Sequence, residues 1–496
     1  MSEANSSGAV TVFDNDPRYA LPATWSWTTI EATARVIRGS SPRPAGDPRF
    51  FGGKEVPWIT VGSLTADNNV YLESVNEYLT NAGRAKSRYV EPETLLLTNS
   101  GATLGVPKIT RIGGCINDGS VALLDVDYPL KTYLYYYLTG LTNRLRAIHQ
   151  GAAQPNLNTG IVKAIPVPLA PLNEQRRIVG KIEELFSDLE AGVAALTRAR
   201  ANLKRYRASV LKAAVEGALT AEWRTRHPQV EPASKLLERI LTERRRQWEA
   251  DQLTKFAAAG KQPPNNWQAK YAEPQPPDLI DVPELPDGWT IASVDQLTIT
   301  ITSGSRDWTQ YYGEGTGTFI MAQNVRPGRL DLSFRQAVNP PGDDRDSVRS
   351  QVVNGDLLVT IVGANTGDVC RVDGDYPEHY VCQSVALMRL VNPALSQFVE
   401  AYFVSHENGQ RQFRRYIYGQ GRPHLGFDQL RVTPVLLPPL AEQAEIVATV
   451  SEKLSQIEAA EVSIEHSLRR AARLRQSILK QAFEGKLVPQ ELMTEK

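Results

Sequence analysis

The sequence predicts an α+β protein in which two tandem α/β domains are each followed by a long helix, the two helices forming an antiparallel coiled coil. Three observations support this prediction. The second half of the chain repeats the first, apolar residues recur every seven positions in both copies, and the remaining segments mix short β-rich runs with turn signals. At 496 residues, the chain is long enough for roughly three or four domains.

The repeat appears when Gly151 is placed on Gly419 and the chain is followed without gaps. GAAQPNL then meets GQGRPHL, AIPVPLAPLNEQRRIV meets VTPVLLPPLAEQAEIV, and RYRASVLKAAVEGAL meets RLRQSILKQAFEGKL. Gly217 falls on Gly485, so the offset stays constant at 268 residues. Weaker matches upstream join LPATW to LPDGW and TLLLTNSGATLG to DLLVTIVGANTG. Self-similarity of this kind predicts two copies of one structural unit.

Both copies predict a long helix after the PLxEQ motif, because apolar residues then recur at heptad spacing. In the first copy the main seam consists of Ile182, Leu189, Leu196, Leu203 and Val210. Its second seam consists of Ile178, Leu185, Gly192, Ala199, Tyr206 and Ala213. In the second copy the main seam consists of Val450, Ile457, Ile464, Ala471 and Ile478. A helix of about 40 residues would be roughly 60 Å long.

Charge along both helices changes sign from front to rear. The front of the first helix carries Glu174, Glu183, Glu184, Asp188 and Glu190, and its rear carries Arg198, Arg200, Lys204, Arg205, Arg207 and Lys212. The front of the second carries Glu442, Glu445, Glu452, Glu458, Glu461 and Glu465, and its rear carries Arg469, Arg470, Arg473, Arg475 and Lys480. Antiparallel pairing places acidic halves against basic halves, although a solvated charged face is the alternative.

These patterns divide the chain into six segments. They are a polar tail (1–19), a first α/β domain (20–172), a central helical region (173–260), a Pro-rich linker (261–283), a second α/β domain (284–440) and a distal helical region (441–490). Lys plus Arg and Asp plus Glu both number 55, so any basic surface must be local. Three cysteines without a CxxC motif predict neither disulfides nor a zinc site. The chain has no apolar run of about 18 residues and no leader pattern, which favours a cytoplasmic protein without membrane contact.

The repeated motifs resemble those of type I restriction-modification specificity subunits. PVPLAPLNEQRRIV and PVLLPPLAEQAEIV resemble the hinge that joins a target recognition domain to its helix in that family. LLLTNSGATLG and LLVTIVGANTG resemble its strand-turn, and LKAAVEGALTAEWR and LKQAFEGKLVP resemble its helix ending. The resemblance covers almost the whole chain outside 1–19 and the linker. The extension over 221–260 has no counterpart in the second copy, so the two copies of the repeat are not fully equivalent.

The resemblance implies a non-catalytic DNA specificity subunit of a multisubunit restriction-modification enzyme. Each α/β domain would then be a target recognition domain that recognises one half of a split, asymmetric double-stranded DNA site. The helices would set the spacing and dock two methyltransferase (M) subunits, with restriction/translocase (R) subunits joining that core. No cofactor is then expected on this chain, whereas S-adenosylmethionine, ATP and Mg are expected on the partner subunits.

Alternatives remain at this point. One is the specificity subunit of a related modification system outside type I, and another is a stand-alone methyltransferase or nuclease. A third is a coiled-coil assembly protein that makes no DNA contact. No P-loop, HExxH motif or histidine cluster supports an enzyme. YYGEGTGTF lacks the strand and helix that a nucleotide loop requires, and Asn339-Pro340-Pro341-Gly342 lacks the aromatic residue that would stack on a flipped base.

DNA contacts are expected from Arg, Lys, Asn, Gln and Ser side chains on loops of the two domains. The candidates in the first domain are Arg38, Ser40, Arg43, Lys54, Arg84, Lys86, Arg88, Gln154 and Asn156. Those in the second are Ser305, Arg306, Gln323, Asn324, Arg326, Arg329 and Arg422. An ordinary surface charge is the alternative for each. Trp308, Tyr311 and Tyr312 could stack on bases, but a role in the core or in packing on sugars is favoured.

Overall fold

The computed structural model describes residues 13, 19–101, 103–148, 156–305, 308–342 and 345–490. The chain forms two compact units. The first comprises Met1–Thr197 with Ile464–Lys496, and the second comprises Arg198–Ser463. Each unit contains one α/β domain, which we call the first head (residues 20–171) and the second head (residues 284–439). Each unit also contains a part of both long helices.

The first head mixes short strands with short helices. Its strands are β1 Ser26–Thr29, β2 Arg35–Arg38, β3 Phe51–Ile59, β4 Tyr71–Leu72, β5 Tyr78–Leu79, β6 Arg88–Val90, β7 Thr94–Thr98, β8 Pro107–Thr110, β9 Gly114–Ile116, β10 Ser120–Leu124 and β11 Pro166–Leu169. Its helices are α1 Ile30–Thr33, α2 Val61–Leu64, α3 Asn81–Arg84, α4 Leu130–Arg146 and α5 Thr159–Ala164. The sheets have the orders β2-β10-β7-β8-β4, β5-β3-β9-β6 and β1-β11.

Three helices follow the first head. They are α6 Leu172–Val215, α7 Ala221–Arg226 and α8 Ala233–Ala258. The last two form the extension that has no counterpart in the second copy. Ala233, Leu236 and Ile240 of α8 are buried in the core of the second unit, so the extension belongs to that unit. Within the described part of the chain, no helix has the length and apolar character needed to cross a membrane.

The second head is followed by the last helix. Its strands are β12 Thr290–Ser293, β13 Thr298–Ser303, β14 Tyr312–Ile320, β15 Val325–Arg326, β16 Arg329–Leu330, β17 Gln336–Val338, β18 Leu357–Thr360, β19 Val369–Arg371, β20 His379–Val381, β21 Val385–Leu390 and β22 Pro434–Leu437. The helices are α9 Val294–Leu297, α10 Arg345–Ser350, α11 Ser396–Val404, α12 Gly409–Tyr416, α13 Phe427–Val432 and α14 Leu440–Phe483. The sheets have the orders β13-β21-β18-β19, β17-β14-β20, β12-β22 and β15-β16.

The sequence repeat is also a repeat of topology. β12-β22 pairs in the same register as β1-β11, since Ser26 faces Leu169 and Thr290 faces Leu437. The order β13-β21-β18-β19 repeats β2-β10-β7-β8, and β17-β14-β20 repeats β5-β3-β9. The parallel pair β3-β9 recurs as β14-β20. The two heads therefore present equivalent backbone positions.

The central strands are apolar on both faces because each separates two cores. Leu95 and Leu97 of β7 face the main core of the first head, whereas Leu96 faces a smaller core under the second sheet. Leu357 and Val359 of β18 do the same in the second head, with Leu358 on the opposite face. The alternation follows from the two-residue period of a strand.

The last helix confirms its predicted main seam, whereas α6 buries the ends of its main seam and departs from the predicted second one. Val450, Ile457, Ile464, Ala471 and Ile478 of α14 are all buried. On α6, however, the predicted seam residue Tyr206 is 47% exposed, whereas its neighbour Arg207 is half-buried. Likewise Phe186 and Ala214 are buried, whereas the predicted seam residues Leu185 and Ala213 are only partly buried. A helix of 3.6 residues per turn drifts against a strict seven-residue stripe, which moves the contact row by one position.

The helices pair antiparallel, as the charge pattern predicts. In the first unit, Glu190 of α6 accepts a hydrogen bond from Arg475 of α14 at 3.1 Å, and Arg177 donates to the backbone of Pro489. In the second unit, Arg207 lies 3.5 Å from Glu461. In the first unit the front of α6 therefore meets the rear of α14, and in the second unit the rear of α6 meets the front half of α14.

The end of one long helix and the start of the other close each head. In the first unit, the Phe483 ring lies 5.0 Å from the rings of both Tyr133 and Tyr137. Ile478, Leu479 and Ala482 belong to the same core, as do Ile178 and Ile182. In the second unit the equivalent positions of α6 and the start of α14 belong to the core of the second head. Each head thus completes its core with residues from both copies of the repeat.

The Pro-rich segment lies against the second head over part of its length. The Asp278 carboxylate accepts hydrogen bonds from the Tyr416 hydroxyl at 2.6 Å and from Arg415 at 3.2 Å. The backbone of Gln275 accepts a hydrogen bond from Ser293. Earlier in the segment, Trp267 stacks on Trp248 of α8. These contacts hold residues 261–283 at defined points.

Candidate nucleic-acid interface

Each head ends a strand of its central sheet at a glycine in close contact with a neighbouring backbone. A Cβ added to Gly39, after β2, would lie 2.0 Å from the carbonyl oxygen of Asn117. A Cβ added to Gly304, after β13, would lie 1.6 Å from the carbonyl oxygen of Val381. Only glycine permits this approach. The loops that follow therefore start from the same point in both heads, and they carry predicted site residues.

Asp118 organises this loop in the first head. Its carboxylate accepts a hydrogen bond from the Ser41 hydroxyl at 2.5 Å and lies 3.3 Å from the Arg43 guanidinium. Its backbone carbonyl accepts a hydrogen bond from Arg38 at 3.0 Å. The turn that precedes β10 therefore gathers two predicted cations, Arg38 and Arg43, on one surface.

Ser40 links that loop to the segment before β6. Its hydroxyl donates to the carbonyl of Lys86, and its own carbonyl accepts from Ser87 at 2.6 Å. Beside them, the Arg84 guanidinium lies 4.3 Å above the ring of Tyr89, which fixes its side chain by a cation–π contact. Arg88 and Lys54 are exposed on β6 and β3 of one sheet, separated by β9. The structure thus brings most candidates of the first head into one region.

In the second head, four distant segments form a cleft of about 630 Å³. It is lined by the loop 303–305, by Ile361 and Val362 after β18, by Gln383 and Ser384 before β21, and by the turn 422–425, together with Arg349 and Phe427. Two predicted residues, Ser305 and Arg422, meet here. The lining combines apolar side chains with polar ones, and its two guanidinium groups, those of Arg349 and the exposed Arg422, suit contact with nucleic acid.

The matched turns of the two heads share their backbone and differ in their side chains. Asn156 forms a β-bridge with Ser100, and at the equivalent positions His424 forms one with Val362. The amide of Leu157 donates to the carbonyl of Asn99 at 2.8 Å, as the amide of Leu425 donates to that of Ile361 at 2.9 Å. One scaffold therefore presents different chemistry at the same place. Gln154, also predicted here, lies outside the described residues, as does Arg306.

A separate hairpin carries the other candidates of the second head. β15 and β16 pair through Val325–Leu330 and Arg326–Arg329. Arg329 and Gln323 are exposed, and Arg329 lies 3.1 Å from Asp331. None of these residues is among those that line the cleft. The hairpin is a second cationic surface of this head.

Asn324 has a structural role, in contrast to the predicted DNA contact. Its side chain is 1% exposed. The amide nitrogen donates to the carbonyls of Asp331 and Phe334 at 2.8 and 2.7 Å, and the amide oxygen accepts from the backbone of Met321 at 2.9 Å. These hydrogen bonds close the loop around the hairpin. They use both the amide nitrogen and the amide oxygen of Asn324, so the side chain cannot bond to the edge of a base.

The aromatic and glycine-rich candidates belong to the interior and to a strand. Trp308 is buried, 5.4 Å from the ring of Phe319 and 5.2 Å from that of Tyr380. This confirms the core alternative. The glycines of YYGEGTGTF lie within strand β14, and Gly315 lies against the carbonyl of Val338. They allow close strand packing, which is the reason no nucleotide loop forms here.

The sequence did not indicate one residue of the first head's surface, Asp118, or two residues that line the cleft of the second head, Gln383 and Arg349. Asp118 and Gln383 reach these surfaces through turns before β10 and β21. Arg349 of α10 lines the cleft and donates to Asp346 at 2.7 Å, which lowers the pKa of that carboxyl. The spacing of three residues between Asp346 and Arg349 signals a helical ion pair, but nothing local indicates that the helix borders a cleft. Within the described ranges, no group of three or more His, Cys, Asp or Glu side chains is arranged to hold a metal.

Comparison with known proteins points to one family. The profile of the type I restriction modification DNA specificity domain matches residues 34–196. The chain is 25% identical over 482 residues to the type I restriction enzyme EcoKI specificity subunit of Escherichia coli K12, covering 95% of this chain and 90% of that one. It is 22% identical to the StySPI specificity subunit of Salmonella potsdam, covering 95% and 91%.

Solved structures show the same fold. A chain from a study of complex assembly and conformational transition of the type I R-M system aligns with a TM-score of 0.65 at 17% identity, covering 95% of this chain and all of that one. The HsdS subunit from Thermoanaerobacter tengcongensis aligns with a TM-score of 0.52 at 17% identity, covering 95% and 99%. The duplicated architecture is therefore shared along nearly the whole chain.

Proposed function

Since the chain belongs to the family of type I restriction-modification DNA specificity subunits, we propose that each of its heads recognises one half of a bipartite, asymmetric DNA site. One observation carries the proposal: equivalent loops in the two heads share strand register and turn geometry but present different side chains. Asn156 and Ser100 occupy the positions that His424 and Val362 occupy in the second head. A duplicated scaffold with divergent contacts suits two different half-sites.

The polar side chains of these loops fit the two parts of DNA recognition. Exposed guanidinium groups such as those of Arg43, Arg329 and Arg422 suit phosphates and guanine edges, whereas amide and imidazole groups suit base edges. We assign the phosphate contacts to the loops that follow Gly39 and Gly304, because the close backbone approach fixes their position.

The remaining functions follow from the family and from the helices. The antiparallel pair of α6 and α14 would set the spacing of the half-sites and dock two methyltransferase subunits, with restriction/translocase subunits joining that assembly. The chain itself would be non-catalytic, and S-adenosylmethionine, ATP and Mg would be bound by its partners. An enzyme of this kind acts on DNA in the cytoplasm.

Exchanging one head tests the proposal. Residues 284–440 are replaced by the matching segment of another family member that keeps the apolar residues facing Val215 and Ile446, and the methylated sites of the host genome are mapped. Half of the recognised site should change and the other half should stay. A change in both halves, or in neither, would contradict the assignment of one half-site to each head. The purified chain alone, incubated with DNA and S-adenosylmethionine, should transfer no methyl groups.

A further inference from the structure

We infer that Asp118 and Asp346 each hold a DNA-facing arginine in the unbound protein and release it only to the phosphates of a target site. The inference rests on the proposed function and adds a device against binding of unrelated DNA. In the first head Asp118 lies beside Arg43 of the loop after Gly39, and in the second head Asp346 lies beside Arg349, which lines the cleft together with Ser305. The carboxylate occupies the place that a phosphate would take in the complex.

In the first head the pair is built by the loop after Gly39. Arg43 Nη2 lies 3.3 Å from Asp118 Oδ2, and the two side chains are 71% and 44% exposed. An exposed pair of this kind adds little to stability. A phosphate can therefore replace the carboxylate without disturbing the fold. The second carboxylate oxygen, Oδ1, is bonded to Ser41 and keeps Asp118 in place while Arg43 moves.

In the second head a different element provides the same pairing. Arg349 Nε lies 2.7 Å from Asp346 Oδ1, and both side chains are 38% exposed. Arg349 lines the cleft together with Ser305 and Arg422. Asp346 lies on α10, whereas Asp118 lies on the turn between β9 and β10. The two heads thus hold an arginine beside an aspartate through different elements.

The consequence is selectivity. A carboxylate beside the phosphate path repels any duplex, and the arginine that it holds makes no phosphate contact until the pair opens. Contacts to the correct bases provide the free energy that opens it, whereas unrelated DNA provides none.

Asp118→Asn in the full chain, purified with the subunits that it assembles with, tests the first pair. Asparagine keeps an acceptor for Ser41 and removes the charge that holds Arg43. We expect a duplex without the target site to bind up to about five-fold tighter. The log–log salt slope for that duplex should steepen by about 0.9, the value of one added phosphate contact. Affinity for the target duplex should change less, so the ratio of the two affinities should fall.

Two further variants separate charge from structure. Asp118→Glu retains the charge and should keep the wild-type ratio, whereas Arg43→Gln combined with Asp118→Asn should abolish the gain in affinity. A gain that persists without Arg43, or one that Asp118→Glu reproduces, would overturn the inference.

Each head is the control for the other. Asp118→Asn should relax methylation at the half-site recognised by the first head alone, and Asp346→Asn at the other half-site alone. If the wild-type assembly bound no DNA, the proposed function would fail. If the wild-type assembly bound DNA and both variants kept its selectivity, the proposed function would stand and only the inference about Asp118 and Asp346 would fail.

Discussion

Arg224 donates a hydrogen bond from its guanidinium to the carboxylate of Glu442, which is completely buried at the start of α14. Thr220 and the indole of Trp289 donate to the same carboxylate, at 2.6 and 2.9 Å. Glu442 therefore joins the end of α6, the extension and the second head at one point. At the matching position of the first copy, Glu174 is equally buried but has no hydrogen-bond partner among the described residues.

Arg224→Met should destabilise the second unit by about 3–5 kcal/mol, because it leaves a buried carboxylate uncompensated. Hydrogen exchange of residues 284–297 should report the loss. Glu174→Gln is the matched control in the first unit, and it should be neutral or slightly stabilising because no ion pair is broken there. Equal effects of the two substitutions would contradict the role assigned to the Arg224–Glu442 contact.

Phe483→Ala should destabilise the first head by about 3–5 kcal/mol although residue 483 is the last of α14. The substitution removes the ring that packs on Tyr133 and Tyr137 and leaves a cavity in that core. Hydrogen exchange should rise in α4 and in strands β7 and β10, and it should stay unchanged in β18 and β21. An effect confined to the second head would show that the helix end closes the other core. Leu474→Ala, at an exposed position of the same helix, is the control.

A heptad inserted into α6 and α14 at opposed positions should lengthen the gap between half-sites. Seven residues add about 10 Å of helix, which corresponds to roughly three base pairs. Because DNA also rotates with each added pair, the variant is expected to prefer a shifted gap or to bind weakly. Insertion into one helix alone should disrupt the pair, since the seams no longer match. Mapping the methylated sites checks both variants. If the double insertion were active with the original gap, the helices would not set the spacing of the half-sites.

Acid should release the Pro-rich segment from the second head. Hydrogen bonds from Tyr416 and the backbone of Ile280, followed by the charge of Arg415, lower the pKa of Asp278 below its ordinary value of 3.8. A carboxyl with a lowered pKa in the folded state stabilises fully above its ordinary pKa and loses that contribution as pH falls through the folded value. Limited proteolysis of residues 261–283 should therefore accelerate below about pH 4.

Asp278→Asn should produce the same susceptibility at neutral pH. Asp287→Asn, at an exposed position four residues beyond the segment, should leave the digestion pattern unchanged. If Asp278→Asn digested like the wild type at neutral pH, the carboxylate would not be what anchors the segment.

The sequence alone determined the duplication, the long helices, their main seams and their antiparallel pairing. Each of these is carried by local periodicity or by a constant offset. Val450, Ile457 and Ile464 needed only their seven-residue spacing to be placed on a buried seam, and the change from acid to base along each helix set the pairing direction. Arginine, serine and glycine also cluster in the loops after β2 and β13, and their contact with DNA stays a prediction.

Only the tertiary structure decided which partners complete each head and each site. Phe483 packs on Tyr133 across 350 residues of chain, and no local pattern encodes so distant a contact. The second seam on α6 follows helix geometry instead of a strict heptad, which left Tyr206 exposed. By residue type, Asn324 is suited to hydrogen bonding with a base, but its side-chain amide already makes three hydrogen bonds to the surrounding backbone. Asp118 in the first head and Arg349 in the second lie beside the candidate loops because folding brings a turn and a helix there from remote positions in the chain. Residue type alone does not predict such neighbours.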